Sequence, residues 1–210
     1  MEEYLVPSGD GVAEFVEKRS RFIGRIWRTE TEEEAIFHIK QMREKHYDAP
    51  HNVYAYIIHG GAMRYSDDGE PQGTAGMPVL EVLRREELFN VCCVVTRYFG
   101  GILLGAGGLV RAYAKSAKLA VDAAGISRKQ VWDHVTVPCP YAMYETLKRT
   151  IAACGGQIAD TEYGADILLQ CIVPHTGTEE FVAKIIDTTA GRVHPTVGES
   201  EYRAFAVTKG

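Results

Sequence analysis

The chain has 210 residues, 46% apolar and 24% charged, which suits one or two hydrophobic cores and excludes wholesale disorder. No run approaches the ~18 uninterrupted apolar residues of a membrane span, and the acidic start MEEYLVPSGDG lacks the basic-then-apolar layout of a secretory signal. A formal net charge of −5 excludes a polyanion binder that uses its whole surface, and leaves room for a local basic face.

Gly11–Arg28 alternates loosely through Phe15, Val16, Phe22, Ile23, Ile26 and Trp27, which predicts two strands joined near Lys18–Ser20. Thr29-Glu30-Thr31 and the acids that follow are a helix-start signature, and Ala35, Ile36, Ile39 and Met42 continue at helical spacing. Pro50 bars further helix, and Asn52–His59 is rich in aromatic and β-branched residues, as a strand is. Gly60–Gly76, dense in Gly, Asp and Pro, reads as one long loop leading into a helix that starts near Pro78. The apolar run Phe89–Phe99 predicts a strand buried on both faces. Five glycines crowd Gly100–Gly108, and the alanine-rich Leu109–Ala124 behind them is helical until Gly125.

Beyond Gly125 the elements run strand (Val131–Val137), helix (Tyr141–Ala153), two strands (Gln157–Tyr163 and Asp166–Val173), helix (Thr178–Thr189) and strand (Thr196–Val207). That order is the ferredoxin-like split βαβ pattern. The expected fold class is therefore α+β, with a boundary near Arg128 between an N-terminal domain of residues 1–128 and a ferredoxin-like C-terminal domain of residues 129–210. The first domain reads β-β-α-β-α-β-α, with its helices on one face of the sheet. Five cysteines without a CxxC, two of them (Cys92, Cys93) inside an apolar run, point to a reduced, cytoplasmic protein without a bound metal or cofactor.

Two glycine-rich loops could carry chemistry. In Ser66–Gly76, Asp67, Asp68 and Glu70 are either a solvated acidic turn or ligands for a hard cation, with His51 as a neighbouring base. The Gly73-Thr74-Ala75-Gly76 end precedes a helix, where backbone N–H groups receive anions. In Gly100–Gly108, glycines between a strand and a helix occupy the position of a phosphate-cradling loop, although neither the dinucleotide nor the nucleoside-triphosphate fingerprint is complete. Arg97 and Arg111 flank it; Lys115 and Lys118 share a helical face with Arg111, and Arg21 and Arg25 lie in a second basic stretch. The alternative for the glycines is a purely structural turn.

Ser20-Arg21-Phe22-Ile23-Gly24, His51–Tyr56, Ser66–Pro78, Val95–Gly101 and Leu104–Tyr113 together resemble the YigZ/IMPACT family, five motifs in order over residues 20–113. The resemblance implies an N-terminal domain like domain 2 of ribosomal protein S5. It further implies a C-terminal domain similar to one of the translocation elongation factor, and a role in translation. The resulting expectation is a non-enzymatic protein that binds RNA or the ribosome, using Arg97, Arg111, Lys115, Lys118, Arg21, Arg25 and the amides of Gly100, Gly101, Gly107 and Gly108. The rival is an enzyme for a small phosphorylated or acyl substrate built on Asp67, Asp68 and Glu70. A protein partner docked on the C-terminal domain is a third expectation.

Overall fold

The apolar run around Val91–Val95 forms the middle strand of a five-stranded antiparallel sheet in the computed structural model, which describes residues 3–206. In chain order the elements are β1 (Tyr4–Pro7), β2 (Gly11–Glu17), β3 (Ser20–Arg28), α1 (Glu32–Lys45), β4 (His51–Ile57), β5 (Met63–Ser66), α2 (Gly76–Arg85), β6 (Val91–Tyr98) and α3 (Ala106–Ala124). There follow β7 (Ile126–Cys139), α4 (Tyr144–Ala153), β8 (Gln157–Tyr163), β9 (Ile167–Pro174), α5 (Thr178–Thr188) and β10 (Thr196–Ala206). The fold is α+β, as expected. One sheet has the order β2-β3-β6-β4-β5, and the other β1-β7-β9-β8 with β10 also paired to β7. The expected end of the last strand at Val207 lies outside the described residues. Among the described residues, packing yields two compact units, one of residues 4–128 with 204–206 and the other of residues 129–203 with residue 3.

In the first unit the helices lie on both faces of the sheet, which corrects the one-face expectation. Phe22, Ile26, Val53, Ala55, Cys93 and Val95 meet α2 and α3 on one side. Cys92, Val94 and Tyr56 meet Ala35, Ile39 and Met42 of α1 on the other. The reason is in β6 itself: successive strand residues point to opposite faces, so an unbroken apolar run needs cover on both. Helix α1 starts where Thr31 accepts a hydrogen bond from the Glu34 backbone N–H at 3.2 Å. Helix α3 sits low on the sheet because Gly24 of β3 leaves room for it. A Cβ there would stand 2.5 Å from the Ser116 carbonyl oxygen.

The second unit builds its core from Val135, Val137 and Cys139 of β7, Leu147 and Ile151 of α4, Leu169 and Cys171 of β9, and Phe181 and Ile185 of α5. Beside it Asp133 is buried and accepts hydrogen bonds from Thr178 Oγ1 (2.6 Å), Ser200 Oγ (2.6 Å) and His175 Nδ1 (2.9 Å). Burial pushes this carboxyl up, but Ser200, Thr178 and His175 outweigh it and hold it below the ordinary value.

Candidate anion-binding site

The loop from Ser66 to Gly76 is satisfied from within. Asp67 Oδ1 accepts the backbone N–H groups of Ala75 (3.1 Å) and Gly76 (2.8 Å), and Oδ2 that of Gly73 (2.8 Å). The anion at the start of α2 is thus the protein's own carboxylate, where the helix dipole favours it. Asp68 Oδ2 accepts from the Asn52 N–H at 2.6 Å and Oδ1 from Arg43 at 2.7 Å, while Thr74 Oγ1 donates to the Pro71 carbonyl. The three carboxylates serve three separate sets of partners. Among the described residues no group of three or more His, Cys, Asp or Glu side chains is placed to hold a metal ion.

Glu70 and Arg97 form the buried hub of the unit. Glu70 is 8% exposed and Arg97 5%. Glu70 Oε1 accepts from Arg97 Nη1 at 2.6 Å and from the Tyr113 hydroxyl at 2.7 Å, and His51 Nε2 lies 3.8 Å away. Strand register sets His51, Arg97 and Phe22 in one row across the sheet, and the guanidinium lies between the Phe22 and Phe99 rings, 5.5 Å from each centroid. Burial, and then the Glu70 charge, push the Tyr113 phenol well up, so it stays a donor. Arg97 is therefore no surface contact for a ligand. A charge this deep in the fold needs a counter-charge, and Glu70 supplies it.

Three further predicted cations are spent or misplaced. Arg21 pairs with Glu14 at 2.7 Å, and Lys118 with Asp122 at 2.6 Å and Glu86 at 3.0 Å. Strand alternation turns Arg21 and Arg25 to the α1 face, opposite Phe22 and Gly24, where Arg25 Nη1 contacts Met42 Sδ at 3.4 Å. Gly100 has a structural task. Its N–H donates to Ser20 Oγ at 3.2 Å, and a Cβ on it would stand 2.0 Å from the Arg19 carbonyl carbon. Only glycine lets this loop lie against the tip of the β2–β3 hairpin.

What remains is a hollow of about 220 Å³ lined by Phe15, Glu17, Lys18, Leu104, Gly108, Arg111, Ala112 and Lys115. Lys115 Nζ stands 4.4 Å from the Phe15 ring centroid, and Arg111 Nη1 lies beside Gly107 in the first turn of α3. Neither Arg111, Lys115 nor Lys18 pairs with a carboxylate among the described residues. Helix α3 begins after Gly105 with no acid in its first turn, and among the described residues no side chain accepts from the N–H groups of Ala106, Gly107 and Gly108. Gly101, at φ +81°, faces open space.

Lys18 belongs to this hollow and was not among the predicted residues, nor was its neighbour Arg19. Both occupy left-handed backbone, at φ 43° and 65°, in the two-residue turn of the β2–β3 hairpin. Such a turn is normally Asn-Gly. Two adjacent basic residues at a predicted tight turn, where neither side chain suits the backbone, are the signal that was available.

The family model "Impact N-terminal domain" matches residues 18–121, and "Domain of unknown function (DUF1949)" matches residues 137–192. IMPACT family member YvyE of Bacillus subtilis is 34% identical over 99% of this chain and 96% of its own length. IMPACT family member YigZ of Escherichia coli is 35% identical over 91% of this chain and 96% of its own length. A crystal structure of a hypothetical protein matches with a TM-score of 0.60 at 32% identity, covering 100% of both chains.

Proposed function

The chain belongs to the IMPACT family, and from that premise we propose that it is a non-enzymatic, translation-associated protein that binds RNA, free or on the ribosome, through the hollow beside the α3 N-terminus. The domain assignments that go with this reading are S5 domain 2-like for the first unit and ferredoxin-like for the second. Pairing of β10 with β7, next to β9 and β8, supports the latter. One observation carries the functional reading: Lys18, Arg111 and Lys115 line one hollow without a carboxylate partner among the described residues, next to the first turn of α3, whose N-cap is Gly105. Phosphate oxygens accept from both kinds of donor, and such contacts position a nucleic acid without reading its sequence. Glu17 is the one acid in the lining. It bounds the site and turns phosphates toward Arg111 and Lys115.

The test is binding of a single-stranded RNA oligonucleotide, followed by fluorescence anisotropy at several salt concentrations. Affinity falls steeply with salt, and the Arg111→Ala/Lys115→Ala double variant binds more weakly, with a log–log salt slope shallower by about 1–2. Lys118→Ala, whose ammonium is already neutralised, leaves the slope unchanged. A flat salt response, or a double variant that binds as the parent does, overturns the proposal.

A further inference from the structure

The opposite face of the same sheet carries a second concavity that the RNA-binding reading does not use. It measures about 400 Å³ and is lined by Ile36, Ile39, Lys40 and Arg43 of α1, Tyr54 and Tyr56 of β4, and Arg64 and Tyr65 of β5. Its floor is aromatic: the Tyr54 and Tyr56 rings lie 6.2 Å apart and 12° from parallel. Its wall on α1 is aliphatic, and Ile36 there is 55% exposed. The Tyr56 hydroxyl is tied to Glu32 at 2.5 Å, while that of Tyr54 has no partner among the described residues.

The three cations around this floor are in different states. Arg43 is neutralised by Asp68 at 2.7 Å, and its guanidinium lies 5.9 Å from the Tyr54 centroid, so it acts as a flat surface more than as a charge. Lys40 is only loosely paired, 3.9 Å from Glu44. Arg64, set by register opposite Tyr56, bonds to the Met63 carbonyl at 3.2 Å and pairs with no carboxylate among the described residues. A rim with an unpaired guanidinium and a loosely held ammonium calls for an anion; a floor of parallel rings with an aliphatic wall calls for a flat apolar group. Both demands fall on one ligand, because the volume is at the small end of the range for small-molecule sites, roughly 300–1,000 Å³.

We propose that this groove binds a nucleoside phosphate, with the base against Tyr54 and Ile36 and the phosphate on Arg64 and Lys40. The same chemistry is offered by a free nucleotide and by an exposed nucleotide of single-stranded RNA. The site stands on its own residues, so it survives or fails independently of the hollow at α3.

Isothermal titration of the full chain with adenosine monophosphate, inorganic phosphate and a single-stranded RNA oligonucleotide tests this. Saturable binding of the monophosphate is expected, at least tenfold tighter than phosphate alone, and Arg64→Glu weakens it tenfold or more. Ile36→Ser, at an exposed position that does not threaten folding, also weakens it, whereas Arg111→Glu does not. Weakening of the oligonucleotide by Arg64→Glu as well assigns the groove to RNA, and weakening of the monophosphate alone assigns it to a free nucleotide; either outcome supports the site. It is overturned if the monophosphate does not saturate, if phosphate binds as tightly, if Arg64→Glu has no effect, or if an acidic peptide binds in an Arg64-dependent way while the monophosphate does not.

Discussion

Two glycine-rich loops of the first unit run into helices, and the contrast between them decides where a ligand can act. Before α2, Asp67 reaches forward across the loop and fills the helix N-terminus with its own carboxylate. Before α3, among the described residues, no side chain caps the helix and the neighbouring cations Arg111 and Lys115 pair with no carboxylate. In sequence the acidic loop has the more chemical look, with three carboxylates in four positions. In three dimensions it is the finished one. A polar cluster whose donors and acceptors are matched internally holds the fold together; donors left without acceptors on an accessible concave surface are free to recognise a ligand.

The largest effect expected from breaking this contrast comes from Glu70→Ala. It strands the Arg97 guanidinium at 5% exposure and removes the acceptor of Tyr113, and losing one partner of a buried ion pair costs about 3–5 kcal/mol. The urea midpoint of the variant should fall accordingly. A midpoint within error of the parent's would mean that the hub is not a stabilising pair.

Asp67→Ala comes next, with a loss of about 1–2 kcal/mol from the emptied helix N-terminus. It also makes the start of α2 resemble that of α3. Added sulfate should therefore restore part of the lost stability in this variant, which thermal unfolding with and without sulfate would show. Equal sulfate effects in parent and variant would contradict the assignment of Asp67 as a built-in anion.

The smallest effect is a pH scan that perturbs the α1 face. Burial lowers the pKa of His38, stacked on Trp27 at 4.6 Å, and burial followed by the charges of Arg25 and Lys45 lowers that of His46. Both histidines are held neutral in the fold, so the unfolded chain takes up protons first as the pH drops below 6.5. Their contribution to stability is complete above that value and is lost on acidification toward the folded-state pKa values. As the pH falls below about 6.5 the urea midpoint should decline, and in His38→Gln/His46→Gln the decline should be shallower. A midpoint that rises with acid would reverse the sign of this reading.

Much of this architecture can be read from residue order. A hydroxyl-plus-acid cap marks the start of α1, Gly125 ends α3, and the alternation in Gly11–Arg28 signals the β2–β3 hairpin. The one-face error was avoidable, because a strand expected to be buried on both sides already implies cover on both sides. Strand β5 escaped notice since four residues inside a Gly- and Asp-rich stretch give too short a period to detect. The site was harder. An arginine closing an apolar strand can signal a buried ion pair, but Glu70 lies 27 residues away, and only tertiary packing brings the two together. The roles of Asp67 and Lys118 likewise depend on which backbone amides and acids reach them, and composition does not report that. Arg111 and Lys115 were identifiable because helical spacing places them on one face.

The most direct test of the central contrast is to locate a bound anion in a crystal of this protein grown or soaked with sulfate. A sulfate held by Arg111 and the Gly107 and Gly108 amides at the start of α3, with none at the start of α2, is the predicted result. Sulfate seated at α2 in place of Asp67, or a hollow at α3 that stays empty while anions bind elsewhere, would contradict it.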